Sequence, residues 1–182
     1  MATRRSTRTP ASPLSLIDAP DATMPSLAPD VEPIFNSLRR LVHALHTASR
    51  ESERSLGLTG AQLFVLTQLR ENPSLSVNAL AERTLTHQST VSVVVQRLVR
   101  RKLVKKIRAS GDARRVELTL TPAGSALLQR APEAVQTRLL RAIDEISTDD
   151  RQAMTRGLQG LVAALGADDT LATMFFEVAE GE

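Results

Sequence analysis

The chain has 182 residues, with 23 Lys+Arg against 20 Asp+Glu and a formal net charge of +3, a length that suits one domain or two small ones. It has no Cys, Trp or Tyr and only four Phe, which excludes disulfides, thiolate nucleophiles, redox-switch thiols, Cys-based zinc sites and a base-stacking aromatic platform. Three His leave little material for a metal site, and no apolar run approaches the ~20 residues that a membrane-spanning helix needs.

Residues 1–30 read as a disordered arm. Five of the nine prolines fall there (Pro10, Pro13, Pro20, Pro25, Pro29), among Ser, Thr and Ala and without a helical period. The first nine residues hold three Arg and no acid, which fits an inert tail or an arm that brushes DNA phosphates better than a transit peptide. Leu14 to Ile17 is too short for the apolar core of a signal peptide.

From Pro33 to Arg54 the apolar residues Ile34, Leu38, Leu41, Leu45 and Ala48 recur at steps of four, three, four and three, a stripe on one helix face. Thr59 stands three residues before Gln62, the spacing of a capping box. The helix it opens carries Leu63, Phe64, Leu66 and Leu69 and stops near Asn72-Pro73. A short helix follows over Val77–Arg83, with Ser76 as N-cap and Leu80 and Ala81 inward. After the turn Thr84-Leu85-Thr86 a further helix is predicted from about His87 to Lys102, burying Val91, Val94 or Val95, and Leu98.

The period then changes to two. Val104–Arg108 and Arg115–Leu120 alternate apolar and polar residues and read as short strands around a turn-rich tip, Ala109–Arg114. Thr121-Pro122 restarts a helix, Thr as N-cap and Pro in the first turn, that runs through Leu127, Leu128, Val135, Leu139 and Ile143, with Pro132 kinking or interrupting it. Ser147 or Thr148 caps a last helix with Met154, Leu158, Leu161, Val162 and Leu165 on one side. Residues 167–182 form an acidic tail with an apolar insert, read as a short helix.

Helix–turn–helix followed by a β-hairpin is a winged helix. The chain is therefore mainly α with a small β-hairpin wing: a winged helix–turn–helix (lobe about 58–121) flanked by N- and C-terminal helices within a domain spanning 31–166. Such a lobe needs only ~70 residues, so the flanking apolar stripes must be covered, most simply by a second copy in a two-fold dimer whose recognition helices meet half-sites ~10 bp apart.

Charge supports a nucleic-acid partner. Between Gln96 and Arg115 nine basic residues stand against one acid, Asp112, so this window carries +8 and the rest of the chain −5. A concentrated basic segment on a balanced remainder suits phosphate contact. With Val91, Val95 and Leu98 turned to the core, Ser89, Ser92, Val93 and Gln96 share the other face of the helix, with Gln88 at its leading end. Gln pairs bidentately with adenine, Ser donates or accepts, and Val meets a thymine methyl. Thr90 and Arg97 complete this candidate reading set, and Arg100, Arg101, Lys105 and Arg108 supply phosphate contacts. Paired carboxylates, a nucleophile–base constellation and a phosphate loop are all missing, so no enzyme is expected. A DNA-binding architectural protein without a ligand switch is the alternative.

The pattern Leu58-Thr59-x-x-Gln62-x-x-Val65-Leu66-x-x-Leu69, then Leu80-Ala81-Glu82-Arg83, then Ser89-Thr90-Val91-x-x-x-Val95-x-x-Leu98-x-x-x-x-Leu103-Val104 resembles the MarR family of bacterial transcriptional regulators. The wing carries the most specific part. Asp112-x-Arg114-Arg115 followed by Leu120-Thr121-x-x-Gly124 is similar to the family's D-x-R and L-T-x-x-G signature, and the likeness covers roughly residues 33–165. One departure is Lys102, where the family usually has Gly; Lys there either adopts a left-handed conformation or shifts the helix end.

The resemblance implies a homodimeric, ligand-responsive repressor of the bacterial cytoplasm that binds a palindromic duplex and sits at the nucleoid when bound. It implies that Arg114 enters the minor groove, with Asp112 restraining an arginine beside it and Arg115 as a neighbour. It also implies a small anionic or phenolic effector in a cleft between the dimer helices and the DNA-binding lobe, for which Arg39, His43 and His46 of the first helix are candidates. No cofactor is expected. His43 and His46 lack a third ligand, so no metal site is expected either. With no cysteine, the family's peroxide-sensing thiol chemistry is excluded.

Overall fold

A computed structural model describes residues 27–109, 112–167 and Phe175, the side chains of 109 and 112–115 excepted. In chain order the elements are α1 Val31–Leu56, α2 Gly60–Glu71, α3 Val77–Thr84, α4 Gln88–Arg100, β1 Val104–Ala109, β2 Asp112–Leu120, α5 Pro122–Gln129, α6 Val135–Glu145 and α7 Thr148–Ala164. The expected terminal arm up to residue 26 and most of the expected acidic tail helix lie outside the described residues. The chain divides into units 1–38 and 39–182. In the first, the described part is a turn and the opening of α1, where the Ser37 hydroxyl donates to the Pro33 carbonyl at 2.8 Å.

The second unit is organised around α2. The Thr59 hydroxyl accepts the Gln62 N–H at 3.2 Å while Gln62 Oε1 accepts the Thr59 N–H at 3.4 Å, so the capping box forms as the spacing predicts. Every residue from Gly60 to Leu69 is buried, because α3, α4, α5, α6 and β2 all pack on this helix. A helix enclosed on all sides tolerates polar residues only when they are bonded. The Thr67 hydroxyl accordingly donates to the Leu63 carbonyl at 3.0 Å.

Ser76 caps α3 by accepting the Ala79 N–H, and α3 ends on Leu85 in the left-handed region at φ 53°. The Leu85 and Thr86 N–H groups return to Glu82 and Ala81, closing the sharp turn of the helix–turn–helix. Helix α4 then buries Val91, Val94, Val95 and Leu98 against Leu58, Phe64, Leu66 and Leu80. Both Val94 and Val95 are inward, where one of the two was expected.

Helix α4 stops at Arg100, two residues earlier than predicted, and Lys102 takes the left-handed conformation at φ 58°. The Lys102 N–H meets the Val99 carbonyl and the Leu103 N–H the Leu98 carbonyl, a Schellman closure that normally employs glycine. A Cβ in this region costs about 1–2 kcal/mol. Lys102→Gly is therefore expected to stabilise the protein by about 0.5–1 kcal/mol after the added unfolded-state entropy. A thermal melt would show this as a rise of about 2–3 °C; an unchanged or lower midpoint would contradict the strain.

The two strands pair antiparallel, Val104 opposite Leu120 through Arg108 opposite Val116, with a shift between Arg108 and Ala109. β2 begins at Asp112, so part of the expected turn belongs to the ladder. Leu75 adds a bridge to Leu118, whose N–H donates to the Leu75 carbonyl at 2.8 Å and ties the wing to the segment before α3. Beyond the wing, the expected long helix is two helices, α5 and α6, separated at residues 130–134 around Pro132. Ser147 caps α7, accepting the Asp150 N–H at 3.2 Å. Among the described residues no helix is long and apolar enough to cross a membrane.

Candidate nucleic-acid interface

The core fixes which face of α4 meets solvent. With Val91, Val94, Val95 and Leu98 buried, the helix exposes Gln88, Ser89, Val93, Gln96 and Arg100, while Thr90, Ser92 and Arg97 are half-buried at the margin. Ser89, Val93, Gln96 and Arg100 follow one another at steps of four, three and four, a continuous stripe along the helix. Apolar Val93 in this stripe offers a methyl contact among hydrogen-bonding neighbours. His87, the N-cap, forms no side-chain cap bond, which leaves the first-turn N–H groups and the positive dipole end to solvent or a phosphate.

Asn78 and Glu82 of α3 border the same concave surface, together with Gln88 and with Val116 of β2. Asn78 and Glu82 are not among the residues that the sequence pattern places at the interface. Their signal was weak, since a capped helix start gives no hint of which neighbour its outer side approaches.

The basic run continues this surface. Lys105 and Arg108 on β1 are exposed, as is Arg100 at the end of α4. Arg101 is exposed as well, but its guanidinium Nη1 donates to the Gly57 carbonyl at 2.5 Å and to Gln62 Oε1 at 3.2 Å. Asp112, Arg114 and Arg115 lie at the outgoing wing strand, and their side chains are outside the described residues. The base of the wing is tightly tied. The Thr121 N–H donates to the Leu103 carbonyl at 3.0 Å, and its hydroxyl donates to the Lys102 carbonyl at 2.8 Å and accepts the Gly124 N–H at 3.1 Å.

The profile of the MarR family matches residues 56–115, from the end of α1 through the helix–turn–helix to the outgoing wing strand. The chain is 34% identical over 113 residues to the HTH-type transcriptional repressor NicR of Pseudomonas putida, covering 58% of this chain and 72% of that one. The chain belongs to the MarR family. It is also 29% identical over 140 residues to the HTH-type transcriptional repressor MdtR of Bacillus subtilis, covering 66% of this chain and 90% of the other. Its fold is that of a crystallised MepR-like protein complexed with pseudoligands, at a TM-score of 0.51 and 21% identity over 76% of this chain and 97% of that one.

In this MarR-family chain the helices flanking the lobe keep much of their apolar surface in solvent. No residue of α7 is buried, and Met154, Leu158, Leu161, Val162 and Leu165 are all exposed. On α1, Leu41 and Val42 are exposed, as are Ile34 and Phe35 earlier in the same helix.

The candidate effector residues Arg39, His43 and His46 line a shallow surface groove along α1 with Val42, Thr47 and Arg50. A more enclosed cavity of about 320 Å³ lies between α2 and the α5–α6 break. Thr67, Thr137, the cations Arg70 and Arg141 and the acids Glu71 and Glu133 contribute its polar lining, and Leu128 and Pro132 its apolar lining. Arg141 is held there by an ion pair to Glu133 at 2.7 Å, and Thr137 Oγ1 is buried without a hydrogen-bond partner. Among the described residues no group of three or more His, Asp or Glu gathers to hold a metal.

Proposed function

We propose that this MarR-family chain is a sequence-specific, double-stranded-DNA-binding repressor that works as a homodimer on a palindromic operator and is released by a small anionic or phenolic ligand. The observation that carries the reading is the outward stripe of α4. A helix whose apolar side is locked into a core presents Ser89, Val93, Gln96 and Arg100 together, the donor, acceptor and methyl-contact groups that major-groove recognition employs. Gln88, Ser92, Thr90 and Arg97 flank that stripe. Arg100, Lys105 and Arg108 neutralise phosphates, and Arg114 enters the minor groove, oriented by Asp112 and neighboured by Arg115. Such a regulator works in the bacterial cytoplasm.

Selection of bound fragments from random duplex DNA tests this reading. One palindrome with half-sites about 10 bp apart is expected; uniform coating of any duplex would favour an architectural protein instead. Within that assay, Arg114→Ala is expected to weaken operator binding about 10–100-fold while leaving the oligomeric state unchanged. Unchanged affinity would remove the wing from the interface.

Ligand response is the second half of the proposal. The cavity bordered by Arg70 and Arg141 has the volume of a small-molecule site, and because Glu71 and Glu133 stand beside these arginines, an anionic ligand there would displace the Glu133 carboxylate from Arg141. The Arg39, His43 and His46 groove is open along one helix and would serve as the rim of a cleft completed by a partner subunit. Ligand and DNA would then oppose each other reciprocally, with a coupling of about 1–3 kcal/mol.

A further inference from the structure

We infer that Arg101 positions the recognition helix instead of contacting DNA: it is a strut between the α1–α2 corner and the C-terminal end of α4. Arg101 is the C-cap residue of α4 and is exposed like its neighbour Arg100, and charge patterning alone groups the two together. The Arg101 guanidinium reaches back across the lobe to the Gly57 carbonyl and to Gln62 Oε1.

Both acceptors are structural. Gly57 follows the last turn of α1 in a left-handed conformation at φ 62°, its N–H bonded to the Glu53 carbonyl, so its carbonyl lies at the negative end of the α1 dipole. Gln62 is only 7% exposed and is the capping-box residue of α2. Its Oε1 takes both the Thr59 N–H and the Arg101 guanidinium. The C-terminal end of α1, the N-terminal end of α2 and the C-terminal end of α4 therefore meet on one charged group.

The same corner is fixed independently of Arg101. The Ser52 hydroxyl donates to the Leu58 carbonyl at 2.9 Å, and the Ser49 hydroxyl accepts the Gly60 N–H at 3.4 Å. A displacement of α1 is thus carried into the corner, and Arg101 passes it to α4. A guanidinium suits this role because it spreads one charge over a rigid planar donor set, which the shorter and more strongly hydrated lysine ammonium does not reproduce. The consequence is that Arg101 sets the angle of the Ser89–Arg100 stripe, and with it discrimination between duplexes, without adding a phosphate contact.

The inference rests on α4 being the DNA-reading helix. Its test uses the full-length protein with Arg101→Lys and Gln62→Met. Each is measured against the selected operator and an unrelated duplex of equal length between about 50 and 200 mM salt. Both variants are expected to lose about tenfold in operator affinity relative to the unrelated duplex, the scale of one charge-assisted bond, with the salt slope unchanged. Gln62 is buried, so its substitution acts through the two bonds its Oε1 accepts, from Arg101 and from the Thr59 N–H, and agreement with Arg101→Lys identifies the shared one as the strut.

If Arg101→Lys discriminates like wild type, and Arg101→Gln lowers the salt slope by about 0.9 per phosphate lost, Arg101 is a phosphate ligand and the inference is overturned. Wild-type discrimination in Gln62→Met overturns it as well. So does unfolding of either single variant at the assay temperature, which would make the node a support of the fold alone. Wild-type protein that prefers no duplex would instead overturn the repressor reading on which this one rests.

Discussion

Aspartate at both Leu158 and Leu161 is expected to convert the protein to a monomer and to lower its affinity for a two-half-site operator by about a hundredfold or more. The reason begins with α7, a 17-residue helix with no buried residue. Its apolar residues Met154, Leu158, Leu161, Val162 and Leu165 follow the spacing of one helix side and are 36–81% exposed. A single helix of this composition has little intrinsic stability in water and forms when its apolar side is covered. In the proposed dimer a second copy would cover it by two-fold symmetry, with Leu158 and Leu161 against the same surface of the partner.

Two aspartates there would bring carboxylates into an apolar contact, at a cost of several kcal/mol for each one desolvated. Neither residue belongs to the buried core of the lobe, so the winged helix itself should stay folded. A monomer then meets the half-sites one at a time and loses the effective-concentration advantage of about 10²–10⁴ that linkage supplies. Sedimentation reads the oligomeric state and a gel-shift titration reads the affinity. A variant that remains dimeric with wild-type affinity would show that α7 is not at the interface.

Gly124→Ala should be the most damaging single-atom-scale change in the lobe. A Cβ at Gly124 would lie 2.2 Å from the Leu103 carbonyl oxygen and 3.2 Å from its carbon. The obstacle is backbone, so no rotamer change can relieve it. That carbonyl also accepts the Thr121 N–H, and the Thr121 hydroxyl caps α5 at the Gly124 N–H. Moving α5 away to make room would therefore pull on the crossing between the start of β1 and the end of β2.

Overpacking costs about 1–3 kcal/mol and each hydrogen bond weakened about 0.5–1.5 kcal/mol. A total near 3 kcal/mol would lower the thermal midpoint by about 6–12 °C for a chain of this size. Operator affinity should fall as well, because the wing is anchored at that crossing. A midpoint within 2 °C of wild type would mean that the close approach is not required. The glycine of the L-T-x-x-G pattern is thus explained by contact across 21 positions of sequence.

The parts legible beforehand were those governed by neighbours within a turn or two. Thr59, Ser76, Thr121 and Ser147 all cap helices with their own side chains, because a hydroxyl that accepts an N–H two or three residues ahead acts locally. The outward side of α4 is legible in part for the same reason: Val91, Leu98 and one of Val94 and Val95 at helical spacing leave Ser89, Val93 and Gln96 outside, while Ser92, expected with them, is half-buried because both valines turn inward. Lys102 resolved in favour of the left-handed option, since the Schellman bonds to Val99 and Leu98 offset part of its steric cost.

Other features depended on distant groups. Pro132 predicts a kink or an interruption, and the break over residues 130–134 also reflects burial of Ala134 against the core. The register of the wing placed Asp112 in the ladder because its partner Ala109 was available across the hairpin, not through any residue preference. Helix α2 shows its cap and its apolar residues Leu63, Phe64, Leu66 and Leu69 in the sequence, but only its position at the centre of the lobe buries Gln62, Thr67 and Gln68 with them.

Arg101 shows the boundary most clearly. Composition places a +8 segment between Gln96 and Arg115 and rules out thiol chemistry, and local spacing makes a winged helix of the surrounding chain. Those properties follow from residue types and short-range hydrogen bonding, which a linear text contains in full. Which acceptor each cation takes does not follow, because a guanidinium goes to whatever lies within reach, and for exposed Arg101 that is the Gly57 carbonyl, 44 residues earlier. Charge is a property of the residue; its partner is a property of the fold.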